Sequence, residues 1–467
     1  MKKHLIVALL VLCLVPAAFA TLVTNMNQSA MYLRLLSRNA STDVDAVYYN
    51  PAGLVLLKDG WHIGLNNQTV LQTKTVVNDF PFLNSHTYDG KVNVPLFPDV
   101  FVVYKKSNLA FSFGFGPSAG GGTAKYDTGL PSFEWQLAAL PALIYGMGIP
   151  TTAYSTDIAL DGSSVYLGFQ FNVSYAFLDC FSAGIGARYV SAKNTYTGHI
   201  KNVMVNPTYP ALGLTGAMIP AGQFFTTMGQ YYTSINSPIN AATMNAYAAQ
   251  MGDKTVDAEQ TATGFTPVLS LNFTPLQGLN LAAKYEFKTK LEFTNNTTKD
   301  DSGLFPNGAK TQSDVPAFLS VGAEYSILPE LRATASFNYF FDKNAFFDKL
   351  EGVSQGREQF INSNSYDLAI GVEYDITKSF LLSAGYLMTR YDLAAGYQSD
   401  MAHDLGADTF GGGFRFKLSP MFDIDVAAMS VGYKTDQKSI AYGSLGTYAE
   451  HYSRKTFAFA VALNFHL

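Results

Sequence analysis

The chain has 467 residues, 31 Lys+Arg against 36 Asp+Glu, and is 48% hydrophobic and 14% aromatic but only 14% charged. No lysine- or arginine-rich patch interrupts this acidic balance, which argues against nucleic acid as a partner. Beyond the first twenty residues no apolar run reaches the roughly 18 residues of a membrane-spanning helix. A chain this apolar, once exported, is a large secreted β-protein or a β-barrel whose hydrophobicity is hidden in alternation.

Residues 1–20, "MKKHLIVALLVLCLVPAAFA", carry Lys2 and Lys3, an apolar core and Ala18-Phe19-Ala20, the three parts of a secretory signal peptide. Cys13 lies inside that core behind the bulky Leu12, which disfavours a lipoprotein. Cleavage removes two lysines, takes the net charge from −5 to about −7 and leaves Cys180 alone, so no internal disulfide forms. Residues 21–60 show no strand pattern. They contain "AVYYNPAGLVLL" (46–57), a turn at Asn50-Pro51-Ala52-Gly53 between greasy residues.

From residue 61 onward the sequence alternates. In 164–177, Val165, Leu167, Phe169, Phe171, Val173, Tyr175 and Phe177 share one face, against Tyr166, Gly168, Gln170, Asn172, Ser174 and Ala176. A period of two held this long is a strand between two different solvents. The second face is small and polar where a sandwich strand turns charge to water, which favours a barrel with a crowded lumen. Such segments fall at 61–77, 98–105, 109–116, 164–177, 181–194, 264–274, 279–294, 316–326, 331–342, 364–375, 380–391, 408–418, 422–434 and 455–467. Short turns at 106–108, 178–180, 275–278, 328–330, 377–379 and 419–421 alternate with long connections, notably 117–163 and 195–263. This rhythm is that of an outer-membrane barrel, with short turns on the periplasmic side and long loops outside. The fold class is therefore all-β, a transmembrane antiparallel barrel of about 14 strands. An even count puts both chain ends at the periplasmic rim. A barrel this wide is not filled by its own side chains, so residues 21–60 are expected to form a plug inside it, with 61–467 as the barrel.

The residues of this segment, "SRNASTDVDAVYYNPAGLVLLKDG", resemble the N-terminal hatch of the outer-membrane long-chain fatty acid and hydrophobic compound transporter family (FadL/TodX type). Asn50, Pro51 and Ala52 match its Asn-Pro-Ala motif. "NVPLFPDVFVVYKKSNLAFSFGFGPSAGG", "LNLAAKYEFKTKLEF", "DVPAFLSVGAEY" and "YDLAIGVEYDITKSFLLSAGYLMTRY" are similar to it as well. The resemblance implies a hatch-gated barrel that takes hydrophobic small molecules passively through the outer membrane. Capture is outside, binding is in the lumen, and exit is through the wall beside a kinked third strand. The implied partners are a fatty acid or hydrocarbon ligand and outer-membrane lipid, with no cofactor. The alternative on the same barrel is a general diffusion porin or a surface adhesin. A porin would need inward faces dense in both signs of charge, and these are poor in it.

Gly114, Gly116 and Pro117, ahead of Gly120-Gly121-Gly122, are the candidate wall kink, since proline removes a ladder donor and glycine favours bulges. The alternative is that these glycines only begin the outer loop. The loop stretches 135–150 and 211–232 are apolar enough for a landing groove, or for packing on each other. By parity Arg188, Lys284 and Arg415 face inward as candidate cations for a ligand carboxylate, each able instead to pair with a lumen acid such as Glu286. No enzyme is expected. Gly116-Pro117-Ser118-Ala119-Gly120 fits G-x-S-x-G, but a glycine run replaces the helix that a nucleophile elbow requires. His62, His86, His199, His403, His451 and His466 have no metal-ligand spacing. Asp43 and Asp45 in "STDVD" are too few for calcium and read as solvated or capping.

Overall fold

The computed structural model describes residues 26–467; the signal peptide expected at 1–20 and the first residues of the expected plug, 21–25, lie outside them. Fourteen antiparallel strands close on themselves: β1 (Gly60–Asn78), β2 (Thr87–Lys106), β3 (Leu109–Tyr126), β4 (Tyr154–Leu178), β5 (Phe181–Val205), β6 (Lys254–Leu276) and β7 (Leu279–Glu286), then β8 (Phe318–Leu328), β9 (Leu331–Phe340), β10 (Ile361–Thr377), β11 (Phe380–Leu393), β12 (Ala407–Ser419), β13 (Phe422–Tyr433) and β14 (Thr447–His466). Each pairs with its neighbour in sequence, and β14 returns to β1 in the register Leu65↔Leu463. Among the described residues each of the fourteen strands thus has a neighbour on both sides, as a closed barrel requires.

The two faces separate as the alternation demands. On β4, Phe171 is 62% exposed while its neighbours Gln170 and Asn172 are buried. The outward side chains pack on no other part of the chain, as expected of a face turned to lipid. At the short-turn rim Trp61 packs on Tyr104, ring centroids 4.9 Å apart, the aromatic belt of a membrane boundary.

Several strands run beyond the expected limits. β3 continues through its glycines to Tyr126 and β4 begins at Tyr154, so the connection expected at 117–163 shrinks to 127–153, with α3 (Pro131–Ala138) and α4 (Leu140–Gly146) in it. The one expected at 195–263 shrinks to 206–253 and folds into α5 (Ala221–Ser234) and α6 (Pro238–Gln250). Toward the long loops the burial of these strands no longer alternates cleanly, so the period-two signal fades although the ladder persists. The apolar loop residues largely pack together: Leu137, Leu140, Ile144, Phe224, Phe225 and Met228 share one buried cluster with Tyr154 and Val205. The strand expected at 279–294 is broken. Residues 287–291 leave the ladder and the chain resumes as Glu292–Asp300 against the upper half of β6. The break is possible because Gly264 has no side chain: a Cβ there would stand 2.7 Å from the Lys290 carbonyl.

Candidate functional site: the barrel lumen

Residues 26–59 lie against inward side chains around the ring. Ser29 caps α1 (Ala30–Leu35), its hydroxyl accepting from Tyr32 N. The glycines Gly385 and Gly411 let this helix touch the wall, since a Cβ at either would overlap the carbonyl of Leu35 or Leu33. Asn39 Nδ2 donates to Val321 O, Phe337 O and Asn338 Oδ1 at 3.1, 3.2 and 2.9 Å. After α2 (Ala46–Tyr49) the Asn-Pro-Ala stretch starts a 3₁₀ helix, Pro51–Leu56, with proline at its first position, where a missing N–H costs nothing. Asn50 Nδ2 donates to Asn272 Oδ1 (2.7 Å) and Ser41 O (3.0 Å). Ala52 N donates to Ser270 Oγ (3.0 Å), while Pro51 O and Ala52 O accept from Ser174 (2.7 Å) and Ser182 (2.8 Å). Three residues thus tie the segment to β4, β5 and β6. The small polar residues of the inward faces supply the partners that its irregular backbone needs.

The three inward cations named from sequence sit at this contact, and each meets acids. Arg188 grips Glu286 with both terminal nitrogens (2.7 and 2.9 Å), and Lys284 reaches Glu286 at 2.6 Å and Tyr48 O at 2.7 Å. Both cations lie over the Tyr48 ring, 4.7 and 4.4 Å from its centre. Arg415 pairs with Asp43 (2.6 Å), Asp425 (2.9 Å) and Asp423 (3.3 Å). Beside it Arg34, 1% exposed, pairs with Glu373 (2.7 Å) and Asp425 (3.2 Å) and also donates to Ser383. Arg38 holds Asp45 at 2.6 Å. The reading of Asp43 and Asp45 as solvated or capping is therefore corrected: Asp45 is fully buried, makes no cap bond to α2, and both acids are arginine partners. Burial alone would raise the Asp43 carboxyl, but Arg415 and Arg38 hold it well below the usual carboxylate range. None of Arg188, Lys284 and Arg415 lines the lumen cavities described next.

On the long-loop side a cavity of about 300 Å³ is lined by Asn27 of the N-terminal segment and by Asp404 and Leu405 of the β11–β12 connection, among others. A second, of about 170 Å³, shares Asn27, Thr389, Tyr391, Thr409 and Val431 and adds Met26, Tyr32, Phe340, Leu387 and Met429. Polar and apolar groups share the lining of both, with Lys74, Asp404 and Arg454 in the first and Asp342 and Asp367 beside Met26, Phe340 and Leu387 in the second. Gly120 and Gly121 of β3 are in the wall of the first. There the ladder between β2 and β3 opens: the register passes from Val92↔Ala124 directly to Val100↔Phe115, so 93–99 and 116–123 do not pair. β3 also slips against β4 at Pro117/Ala119 and Gly120/Gly122. Pro95, Pro98 and Pro117 all stand in this stretch, each without an N–H to donate. On the β1 side of β2, where that pair also slips at Gln68/Val70, Asn67 Nδ2 and Thr69 Oγ1 donate to Pro95 O at 3.4 and 3.1 Å, and from the N-terminal segment Gln28 Nε2 donates to Pro117 O at 2.9 Å. Gly114 faces Val47 of the N-terminal segment, and Gly116 faces the buried Asp99 carboxylate.

No protein-family model and no curated protein matches the sequence. Solved structures do. A FadL homologue of Pseudomonas aeruginosa is 14% identical with a TM-score of 0.63, over 96% of this chain and 100% of that one. The toluene transporter TodX of P. putida is 12% identical with a TM-score of 0.57, over 96% and 100%. The toluene transporter TbuX of Ralstonia pickettii is 15% identical with a TM-score of 0.52, over 91% and 94%. The fold is the FadL/TodX fold. At this identity the likeness is one of backbone architecture, a FadL-type barrel over nearly the whole chain.

In this FadL-type barrel some residues escaped the sequence reading. Lys74 and Arg454 line the first cavity, and parity would have found them: Lys74 is in step with the inward Asn66 and Gln68, and Arg454 with Ala458 and Ala460. Arg454 stood one residue before the expected start of its strand. Pro95 was likewise outside the expected second strand, and Pro98 was its first residue. Ser118 of G-x-S-x-G is inside β3, its hydroxyl donating to Tyr166 O at 3.3 Å, and the strand continues past it. His62 and His466, distant in sequence, meet at the β1–β14 seam with their Nδ1 atoms 2.8 Å apart; one ring donates and the other accepts.

Proposed function

We propose that the protein is an outer-membrane channel for uptake of hydrophobic small molecules, in which residues 26–59 act as a hatch and the β2–β3 break is the exit. One observation carries this reading: the lumen cavity is lined by Asn27 of the N-terminal segment and by Gly120-Gly121, in the stretch where 93–99 and 116–123 do not pair with each other. A hydrophobic solute gains nothing by crossing an aqueous lumen. A route from pocket wall straight into lipid avoids a cost of about 25 cal/mol for each Å² of apolar surface that would otherwise be exposed to water. Two structural neighbours are toluene transporters, which supports a hydrophobic cargo of fatty acid or hydrocarbon type. The many polar ties between hatch and wall favour this over a general porin, because they must break before water can fill the bore.

The test joins conductance to uptake. In planar bilayers the purified protein should show a nearly closed barrel, and in cells it should raise uptake of labelled long-chain fatty acid or toluene. A steady large conductance with no gain in hydrophobic uptake would make it a porin and end this proposal.

A further inference from the structure

Asp99 of β2 is fully buried, at the end of the β2–β3 break where pairing resumes with Val100↔Phe115. The N-terminal segment and three strands meet there. Gln28 Nε2 donates to Pro117 O of β3, next to the Gly116 that faces the Asp99 carboxyl. The Gln68 amide of β1 lies 3.5 Å from both Asn27 O and Asp99 Oδ2, longer than an ordinary N–H···O bond. Among the described residues no protein group donates to Asp99 Oδ1, and no cation acts on the carboxyl. Other buried acids of the lumen are answered. Glu286, Glu373 and Asp425 have arginines, Asp342 accepts from Ser365 N at 2.9 Å, and Asp367 accepts from Thr389 Oγ1 at 2.6 Å. Shape adds to the difference. A Cβ at Gly116 would overlap Asp99 Oδ1, while the nearest atom of any other residue, Gln28 Oε1, would stand at 3.4 Å.

We propose that Asp99 is a positioning residue for the exit: its carboxyl, short of donors while the wall is closed, keeps the β2–β3 break ready to part. A buried polar group without a partner costs the free energy of its desolvation. As 93–99 and 116–123 separate, water reaches the carboxyl and that cost is lifted. Asp99 therefore lowers the difference in free energy between the closed and the parted wall. A breach of polar pairing in an otherwise satisfied fold is the mark of a functional site. Gln28 and Gln68 connect the seat of Asp99 to the N-terminal segment, so a movement of that segment reaches the break here. The proposal rests on the reading of the break as the exit and names the residue that sets its ease of opening.

Two measurements test it: hydrogen exchange by mass spectrometry on the detergent-solubilised full-length mature protein, and uptake of radiolabelled toluene by cells that express it. Asp99→Asn and Asp99→Ala should slow exchange across 93–99 and 116–123 by about tenfold, the scale of one buried polar group left without a partner. They should leave exchange in β4 and β5 unchanged and cut uptake several-fold at equal expression. Gly116→Ala presses a methyl onto the carboxyl and should speed exchange in the same stretch. Combined with Asp99→Ala, which vacates that space, it should return exchange to the slow level. A carboxyl that merely supports the wall would act the other way. Faster exchange in Asp99→Ala, or an Asp99→Ala chain that does not fold, overturns the proposal while leaving the uptake reading in place, and so does exchange or uptake that matches wild type. Absence of uptake by wild type itself, relative to cells lacking the protein, overturns both.

Discussion

Arg34→Leu tests whether charge holds the N-terminal segment in its seat. The guanidinium is fully buried, on the segment side of two ion pairs to β10 and β13, and bonds β11 through Ser383. Removing one partner of a buried pair costs about 3–5 kcal/mol, because the other charge is left uncompensated. The lower end applies here: Glu373 keeps Arg332 at 3.2 Å, and Asp425 keeps Arg415 at 2.9 Å and Asn464 at 2.7 Å. A loss of about 3 kcal/mol shifts the ratio of seated to unseated segment by roughly a hundredfold. The strand ladder does not depend on Arg34, so folded and heat-denatured forms should still separate on a gel. In planar bilayers the fraction of time in a conducting state should rise by about that factor. Adding Glu373→Gln should recover part of the difference, since the stranded carboxylate then disappears. An open fraction within about twofold of wild type, with the barrel intact, would refute the reasoning and shift the hold on the segment to its backbone hydrogen bonds.

Gly385→Val puts a branched side chain where the Leu35 carbonyl rests, so α1 should be lifted from the wall and the segment become cleavable by added protease. Gly121→Leu needs no rearrangement, because nothing lies within 4 Å of its Cβ position. It narrows the cavity wall beside the β2–β3 break and should cut hydrophobic uptake several-fold with unchanged expression and mobility. Acid should loosen the segment through Asp43. Its carboxyl is held below the usual value in the folded state, so its contribution is complete above about pH 4, the unfolded value, and is lost as pH falls toward the folded one. Bilayer conductance should therefore rise with acid below about pH 4, and Asp43→Asn should be leaky already at neutral pH and respond less.

Much of the barrel was legible because lipid imposes a rule on every second residue. Between Phe169 and Phe177 the alternation of large apolar with small polar side chains needs no partner strand to be recognised, and the short turns at 106–108 and 419–421 follow as interruptions of it. Strand ends were not legible, for at Tyr126 and Tyr154 the outer face meets protein and water together and the rule lapses. The site was legible only by parity. Arg188, Lys284 and Arg415 could be assigned to the lumen, but not to their acids.

By itself the sequence determined the span rhythm, the closed even-numbered barrel and the spare N-terminal stretch with its Asn50-Pro51-Ala52 turn, since these depend on solvent alternation and local backbone chemistry. Only the tertiary structure decided which charges are answered. Glu286 comes between Arg188 and Lys284 through the registers of β5, β6 and β7, and Lys74 meets Arg454 because the last strand closes on the first. Coulomb energy depends on distances between residues far apart in the chain, and those distances exist only once the barrel has closed.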